Sequence, residues 1–244
     1  MKIHQFVDYH ARITPENACL IFADQPISYA EIQRQSESIA AGLLERGIEA
    51  GDRIACLCQN CPEFLTLLVA CSRVEAVLCA VNYRLAPEEV QYVLDDSNAR
   101  MLAAPDTDMA PLIASLKTSV PILSSHDGSW EAWCRSLPDA AGIDRSRGSD
   151  AAIMQLYTSG TTGRPKGVVL SQRNIFSLYA SAAASWSVKA CPGSRDLVSA
   201  PNFHIGGAGT LILPILSGGT VVLHKTFDPF KVAEDLERYQ IENT

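Results

Sequence analysis

The chain has 244 residues, with 20 Lys plus Arg against 27 Asp plus Glu and a formal net charge of −7. A surface built for nucleic acid needs clustered Lys and Arg to release counterions, and this chain has no basic stripe, so no nucleic-acid partner is expected. With 47% hydrophobic and 19% charged residues it can bury a large core, and its longest apolar runs, such as Leu67 to Cys71, are too short to span a bilayer, which predicts a compact cytoplasmic protein with no transmembrane segment.

Strand-like and helix-like segments alternate from residue 18 onward. Cys19 to Ala23 reads as a strand and Asp24 to Pro26 as a turn. Ser28 and Glu31 then form a capping box for a helix that carries Ile32, Ile39, Leu43 and Leu44 and stops at Gly47. Arg53 to Cys58 is a second strand, and Asn60 and Pro62 open a helix through about Arg73. Ala76 to Val81 is a third strand, Pro87 opens a helix through Leu94, and Met101 to Ala104 is a short strand. Residues 111–149 read as loop-rich, punctuated by Pro121, Gly128, Pro138 and Gly148. From Ala151 the pattern resumes as a strand, a Gly-rich loop, the strand Val168 to Leu170, a helix from about Asn174, the strand Leu197 to Ala200, a helix, the strand Thr220 to His224 and a closing helix from Asp228 to Tyr239. This alternation, with nearly continuous apolar strands, predicts an α/β fold with helix-covered sheets.

Eight cysteines raise a metal or disulfide reading, since Cys56, Cys58 and Cys61 are close in sequence. Period-two spacing puts Cys56 and Cys58 on one strand face, and Cys71 and Cys79 fall in apolar runs, so these read as small core residues. None of the five histidines is spaced to complete a zinc site.

The most informative stretch is Tyr157-Thr158-Ser159-Gly160-Thr161-Thr162-Gly163-Arg164-Pro165-Lys166-Gly167. Four hydroxyl residues, three glycines and a lysine exceed what a hairpin connection needs. The chemistry they suit is polyphosphate binding: glycines let backbone N–H groups approach anionic oxygens, hydroxyls add donors, and the lysine adds a mobile positive charge. The segment is not a Walker A loop, because Pro165 and Gly167 stand where that pattern requires Gly and Ser/Thr. Ser159 could also be read as a hydrolase nucleophile, but no base is identifiable near it.

The whole block resembles the signature of the AMP-forming adenylating enzymes, the family of acyl-CoA synthetases, luciferases and peptide-synthetase adenylation domains. Further segments resemble the same family in the same order: Gly51-Asp52-Arg53, Asn60-Cys61-Pro62-Glu63-Phe64, Val81-Asn82-Tyr83-Arg84-Leu85 and Pro201-Asn202-Phe203-His204-Ile205-Gly206-Gly207. The resemblance covers essentially all of residues 1–244 and implies the N-terminal part of the large domain of such an enzyme. It also implies activation of a carboxylic acid by ATP with Mg2+, then transfer to coenzyme A. Thr158, Ser159, Gly160, Thr161, Thr162, Gly163 and Lys166 would then embrace the outer phosphates, with Thr161 at the metal and Lys166 stabilising charge. His204 would lie near the substrate carboxylate, and Gly206 and Gly207 would leave room beside it. Peptide-synthetase domains carry an aspartate in that segment; Asn202-Phe203-His204 has no carboxylate, which favours a fatty or aryl acid.

The chain departs from the family pattern at Glu75, where glycine is usual, at Cys79, where proline is common, and at Gln172, where histidine often follows the serine. The family's adenine, ribose and adenylation-lysine segments do not occur before Thr244. The expectation is therefore a fragment that does not complete adenylation alone. The competing expectation is a non-catalytic remnant that binds nucleotide or a partner.

Overall fold

The computed structural model describes residues 1–145, 148, 150–158, 164–185 and 191–244. Helix α1 (Ile3–Ile13) opens the chain and buries Ile3, Val7 and Ala11, one residue per turn. Strand β1 (Ala18–Phe22) turns at Ala23 and Asp24, both at positive φ, into β2 (Gln25–Ser28), so the expected turn is the tip of a hairpin. Helix α2 (Tyr29–Glu45) follows, with Ser28 Oγ accepting from Glu31 N at 3.2 Å. The Glu31 carboxylate accepts from Gln35 Nε2 instead of closing the capping box.

Next come β3 (Arg53–Leu57), α3 (Pro62–Val74), β4 (Val77–Val81), α4 (Pro87–Asp96) and β5 (Ala99–Ala104). The stretch expected to be loop holds α5 (Ala110–Ser115), β6 (Ile122–Ser124) and α6 (Ser129–Ser136). These elements are too short for periodicity to reveal. The chain continues through β7 (Ala152–Thr158), β8 (Lys166–Ser171), α7 (Gln172–Ser185), β9 (Arg195–Val198), α8 (Ile205–Ser217), β10 (Thr220–Leu223) and α9 (Pro229–Arg238).

The strands form two sheets. One has the order β2-β1-β10-β9, parallel except for β2; the other has the order β6-β5-β3-β4-β7-β8, parallel except for β8. Alternation along β3 sends Ile54 and Cys56 into the larger core and Ala55 and Leu57 into a second core beneath α4, so the six-stranded sheet is covered on both faces. Helix α3 is buried from Phe64 to Val74 and α8 from Gly207 to Ser217, except Thr210, as helices packed on nearly all sides must be.

Six of the cysteines, Cys19, Cys56, Cys58, Cys61, Cys71 and Cys79, are buried free thiols. Burial pushes the Cys79 thiol up to about 12, so it packs as a small apolar residue.

Two of the three departures from the family pattern, Glu75 and Gln172, belong to one buried polar network. Glu75 ends α3 at φ 61, a conformation in which glycine is cheaper, and its Oε1 accepts from Lys2 Nζ at 3.0 Å. Lys2 also bonds Asp144 Oδ1 at 3.1 Å and the Arg145 carbonyl. Gln172 accepts from Ile3 N at 3.1 Å and donates to Ser72 Oγ at 2.9 Å, and the same hydroxyl lies 2.9 Å from His4 Nδ1. Burial, and then the Arg73 charge, hold the His4 imidazole below its ordinary range. Cys79, the third departure, lies in the core of β4. Arg73 is 1% exposed, with Nη2 2.5 Å from Asp8 Oδ1 and Nε 3.1 Å from Ser36 Oγ. The N-terminal helix thus fastens residues 144 and 145, which lead toward β7, and the first residue of α7.

Candidate functional site

Strands β7 and β8 form the hairpin that carries the Gly-rich stretch. Thr158 and Lys166 are Cα partners at its loop end, and both belong to strands rather than to the loop. Both are exposed, and neither side chain has a hydrogen-bond or ion-pair partner among the described residues. A hydroxyl and an ammonium group held opposite each other by backbone pairing, facing water and unspent, is a donor set suited to an anion. Ser159, Gly160, Thr161, Thr162 and Gly163, the remainder of the expected phosphate set and its metal residue, lie outside the described residues.

This end of the hairpin is fixed to α4. The Tyr157 hydroxyl donates to Asp96 Oδ2 at 2.6 Å, and the Tyr92 hydroxyl lies 3.2 Å from the Pro165 carbonyl. The Arg164 guanidinium stands 5.5 Å from the Tyr92 ring centre. Burial, reinforced by the Asp96 hydrogen bond, raises the Tyr157 phenol and keeps it a donor. Gly167 is glycine for a packing reason: a Cβ there would lie 2.3 Å from Gln155 Nε2 and 3.0 Å from Tyr157 Cζ. Tyr92 and Asp96 had no local motif to mark them. Their spacing of four on one helix face acquires meaning only when β7 and β8 pack alongside.

His204 sits at the N-cap of α8, exposed, with Nδ1 accepting from Gly206 N at 3.1 Å. Its cap bond orients the ring. Gly207 does not open space beside it, contrary to expectation. A Cβ on Gly207 would meet the Pro201 carbonyl oxygen at 2.2 Å, so this glycine lets α8 approach the backbone at residues 200 and 201. No hydrogen bond, ion pair or ring contact joins His204 to Lys166 among the described residues.

The ends of the two sheets meet at Asn60. Its Nδ2 donates to Ala200 O at 2.9 Å and His224 O at 3.0 Å, its Oδ1 accepts from Asn202 N at 2.9 Å, and its backbone N–H donates to Lys225 O at 3.3 Å. One carboxamide therefore ties the segment after β3 to those after β9 and β10. Beside it lies a cleft of about 240 Å³ lined by Tyr83, Arg84, Pro201, Lys225 and Phe227. Ligands favour this end of parallel strands. Tyr83 and Phe203 meet edge to face at 5.4 Å, with the Arg84 guanidinium 5.3 Å from the Tyr83 ring centre and 5.8 Å from that of Phe203. Lys225 is held by Asp106 at 3.0 Å and Asp108 at 2.8 Å, whereas Arg84 has no carboxylate partner among the described residues. An Asn between a strand end and a helix-opening proline is the sequence signal for this joint.

Comparison with known proteins agrees with this layout. The family model described as AMP-binding enzyme matches residues 7–244. Among curated proteins, a feruloyl-CoA synthase from Amycolatopsis sp is 33% identical over 95% of this chain and 45% of its own length. A fatty acid–[acyl-carrier-protein] ligase, ScoC, from Streptomyces coeruleorubidus is 32% identical over 91% of this chain and 43% of its own length. Among solved structures, the o-succinylbenzoate CoA synthetase (MenE) of Bacillus subtilis, in complex with the acyl-adenylate intermediate OSB-AMP, superposes with a TM-score of 0.83 at 28% identity, covering 98% of this chain and 60% of that one. The chain thus spans less than half the length of these curated relatives. With its two helix-covered sheets and this match over nearly every residue, the chain belongs to the AMP-binding enzyme family.

Proposed function

We propose that the parent protein activates a carboxylic acid, fatty or aryl, with ATP and Mg2+ and passes the acyl group to the thiol of coenzyme A. In the first half-reaction the acid's carboxylate oxygen bonds the α-phosphorus as the bond to pyrophosphate breaks; in the second the thiol sulfur takes the acyl carbon and AMP leaves. The observation that carries this reading is the loop end of the β7–β8 hairpin, where Thr158 and Lys166 face each other exposed and unspent. These two residues would grip the outer phosphates together with Ser159, Gly160, Thr161, Thr162 and Gly163, with Thr161 toward the metal. The contribution is orientation and charge stabilisation, not covalent catalysis. His204, oriented by its cap bond, would stand at the acid's carboxylate, and the absence of a carboxylate in Asn202-Phe203-His204 suits an acid without an α-ammonium group.

The names of the relatives support a thiol acceptor and leave its carrier open: one acts with coenzyme A, the other with an acyl-carrier protein. No helix of the described residues is long and apolar enough to cross a membrane, in keeping with a cytoplasmic reaction.

Acid-dependent ATP–pyrophosphate exchange by the full-length parent, run over a panel of fatty and aryl acids, tests the proposal. Exchange with at least one acid, followed by thioester formation with coenzyme A, is expected; a folded parent inert with every acid would sink it. Residues 1–244 alone are expected to give no exchange.

A further inference from the structure

Strand β8 lies at the edge of its sheet: among the described residues it pairs with β7 and with no other strand, and Val168 and Val169 on it are exposed. Pairing along one side fixes the spacing of two strands but leaves the other edge without a ladder, free to twist and fray at its loop end. Lys166 sits at that end. A constant direction for its ammonium group therefore needs support from outside the hairpin.

Helix α4 supplies that support through Tyr92. The Tyr92 ring is half-buried against the core beneath α4, which holds it in place. Its hydroxyl lies 3.2 Å from the Pro165 carbonyl oxygen, and the Arg164 guanidinium stands 5.5 Å from its ring centre. A carbonyl only accepts, so the hydroxyl donates to it. The Pro165 carbonyl and the Lys166 N–H share one planar peptide, and the proline ring fixes φ at 165. Holding that oxygen therefore holds the plane from which the Lys166 side chain departs. Tyr92 grips both residues that precede the lysine, one through its ring and the other through its hydroxyl.

A second acceptor, Asp96 Oδ1, stands 3.3 Å from the same hydroxyl. One hydrogen serves only one of the two oxygens well. Asp96 is exposed, so water can reach it, whereas Pro165 is half-buried. Asp96 meanwhile anchors β7, accepting from the Tyr157 hydroxyl at 2.6 Å, and that hydroxyl accepts from Gln155 Nε2 at 3.1 Å. Two tyrosines thus clamp the two strands of the hairpin to one helix.

We propose that Tyr92 is a positioning residue for Lys166, its hydroxyl on the Pro165 carbonyl and its ring beside Arg164 setting the direction of the ammonium group. Its effect on catalysis rests on the proposed role of Lys166 at the outer phosphates of ATP; its hold on Lys166 does not.

Tyr92→Phe keeps the ring and removes the hydroxyl. In the 244-residue chain the 15N order parameter of the Lys166 amide should fall from the rigid range of about 0.85 toward about 0.6, with that of Val81 in β4 unchanged. Arg164→Ala, which leaves the hydroxyl bond in place, should lower it less. In the full-length parent Tyr92→Phe should lower kcat for acid-dependent ATP–pyrophosphate exchange about tenfold, with KM for the acid unchanged. Added to Lys166→Ala it should lower exchange no further, because a residue that acts through Lys166 then has nothing left to position. A merely structural residue would multiply the two losses. An unchanged Lys166 order parameter in Tyr92→Phe, or multiplied losses in the double variant, would overturn the proposal. A parent inert with every acid would sink the ATP role of Lys166 alone, and the order parameter would still decide whether Tyr92 holds that lysine.

Discussion

The Asn60 junction and the Thr158–Lys166 hairpin end both lie in segments shared with the AMP-binding enzymes, yet they use their polar groups in opposite ways. Asn60 is 2% exposed, and its side-chain oxygen and nitrogen are both consumed in joining the two sheets. Thr158 and Lys166 are exposed, and their side chains have no hydrogen-bond or ion-pair partner among the described residues. A group saturated by its own chain contributes architecture; a group held in place but unsatisfied is available to a ligand. Substitution should therefore separate the two regions: stability falls at the first and activity at the second.

Arg73→Ala sets the upper end of the structural scale. It strips the guanidinium from a buried network with Asp8, Glu37 and Ser36, and about 3–5 kcal/mol of unfolding free energy should be lost in urea titrations, the usual cost of orphaning a buried charge partner. Asn60→Ala comes next: leaving Ala200 O, His224 O and Asn202 N without this partner should cost about 2–4 kcal/mol. A loss below 0.5 kcal/mol would dissolve the contrast, because Asn60 would then be no joint at all.

Lys166→Ala should behave in the opposite manner. Its unfolding midpoint should stay within about 0.5 kcal/mol of the unaltered chain, while exchange by the full-length parent should fall by about 10²-fold or more, the scale of one removed charge-stabilising donor. A large stability loss without an activity loss would move Lys166 into the structural class.

The mildest test uses acidity. Burial raises the Asp196 carboxyl to about 6, above its unfolded value, so its stabilising contribution is full below about pH 4 and is lost as pH rises through 6. Asp196→Asn should flatten that slope in unfolding free energy between pH 4 and 7. The His4 imidazole, held below its ordinary range, works the other way: its contribution is present above about pH 6.5 and fades as pH falls. His4→Asn should expose the Asp196 slope more clearly.

The succession of strands and helices is legible in the chain itself, punctuated by proline, glycine and hydroxyl residues such as Pro62, Pro87 and Ser28, and so is the hydroxyl-rich hairpin with its lysine. These are local signals, carried by residues within a turn or two of one another. The N-terminal helix has no Ser, Thr, Asp or Asn at its N-cap and mixes His4 and His10 with Ile3, Val7 and Ala11 on its buried face, and α5, β6 and α6 are each too short for a period to emerge. Tertiary structure alone decided the rest. It set Lys2 at the N-cap of α1 against Glu75 at the end of α3, Asn60 against residues 200, 202 and 224, and Asp235 of α9 against His224. It also turned Gly207 from expected pocket space into a place where two backbones touch. Such pairings join residues up to 164 apart, and only the packing of two sheets around shared helices brings their hydrogen-bonding groups within 3 Å, where burial makes each one consequential.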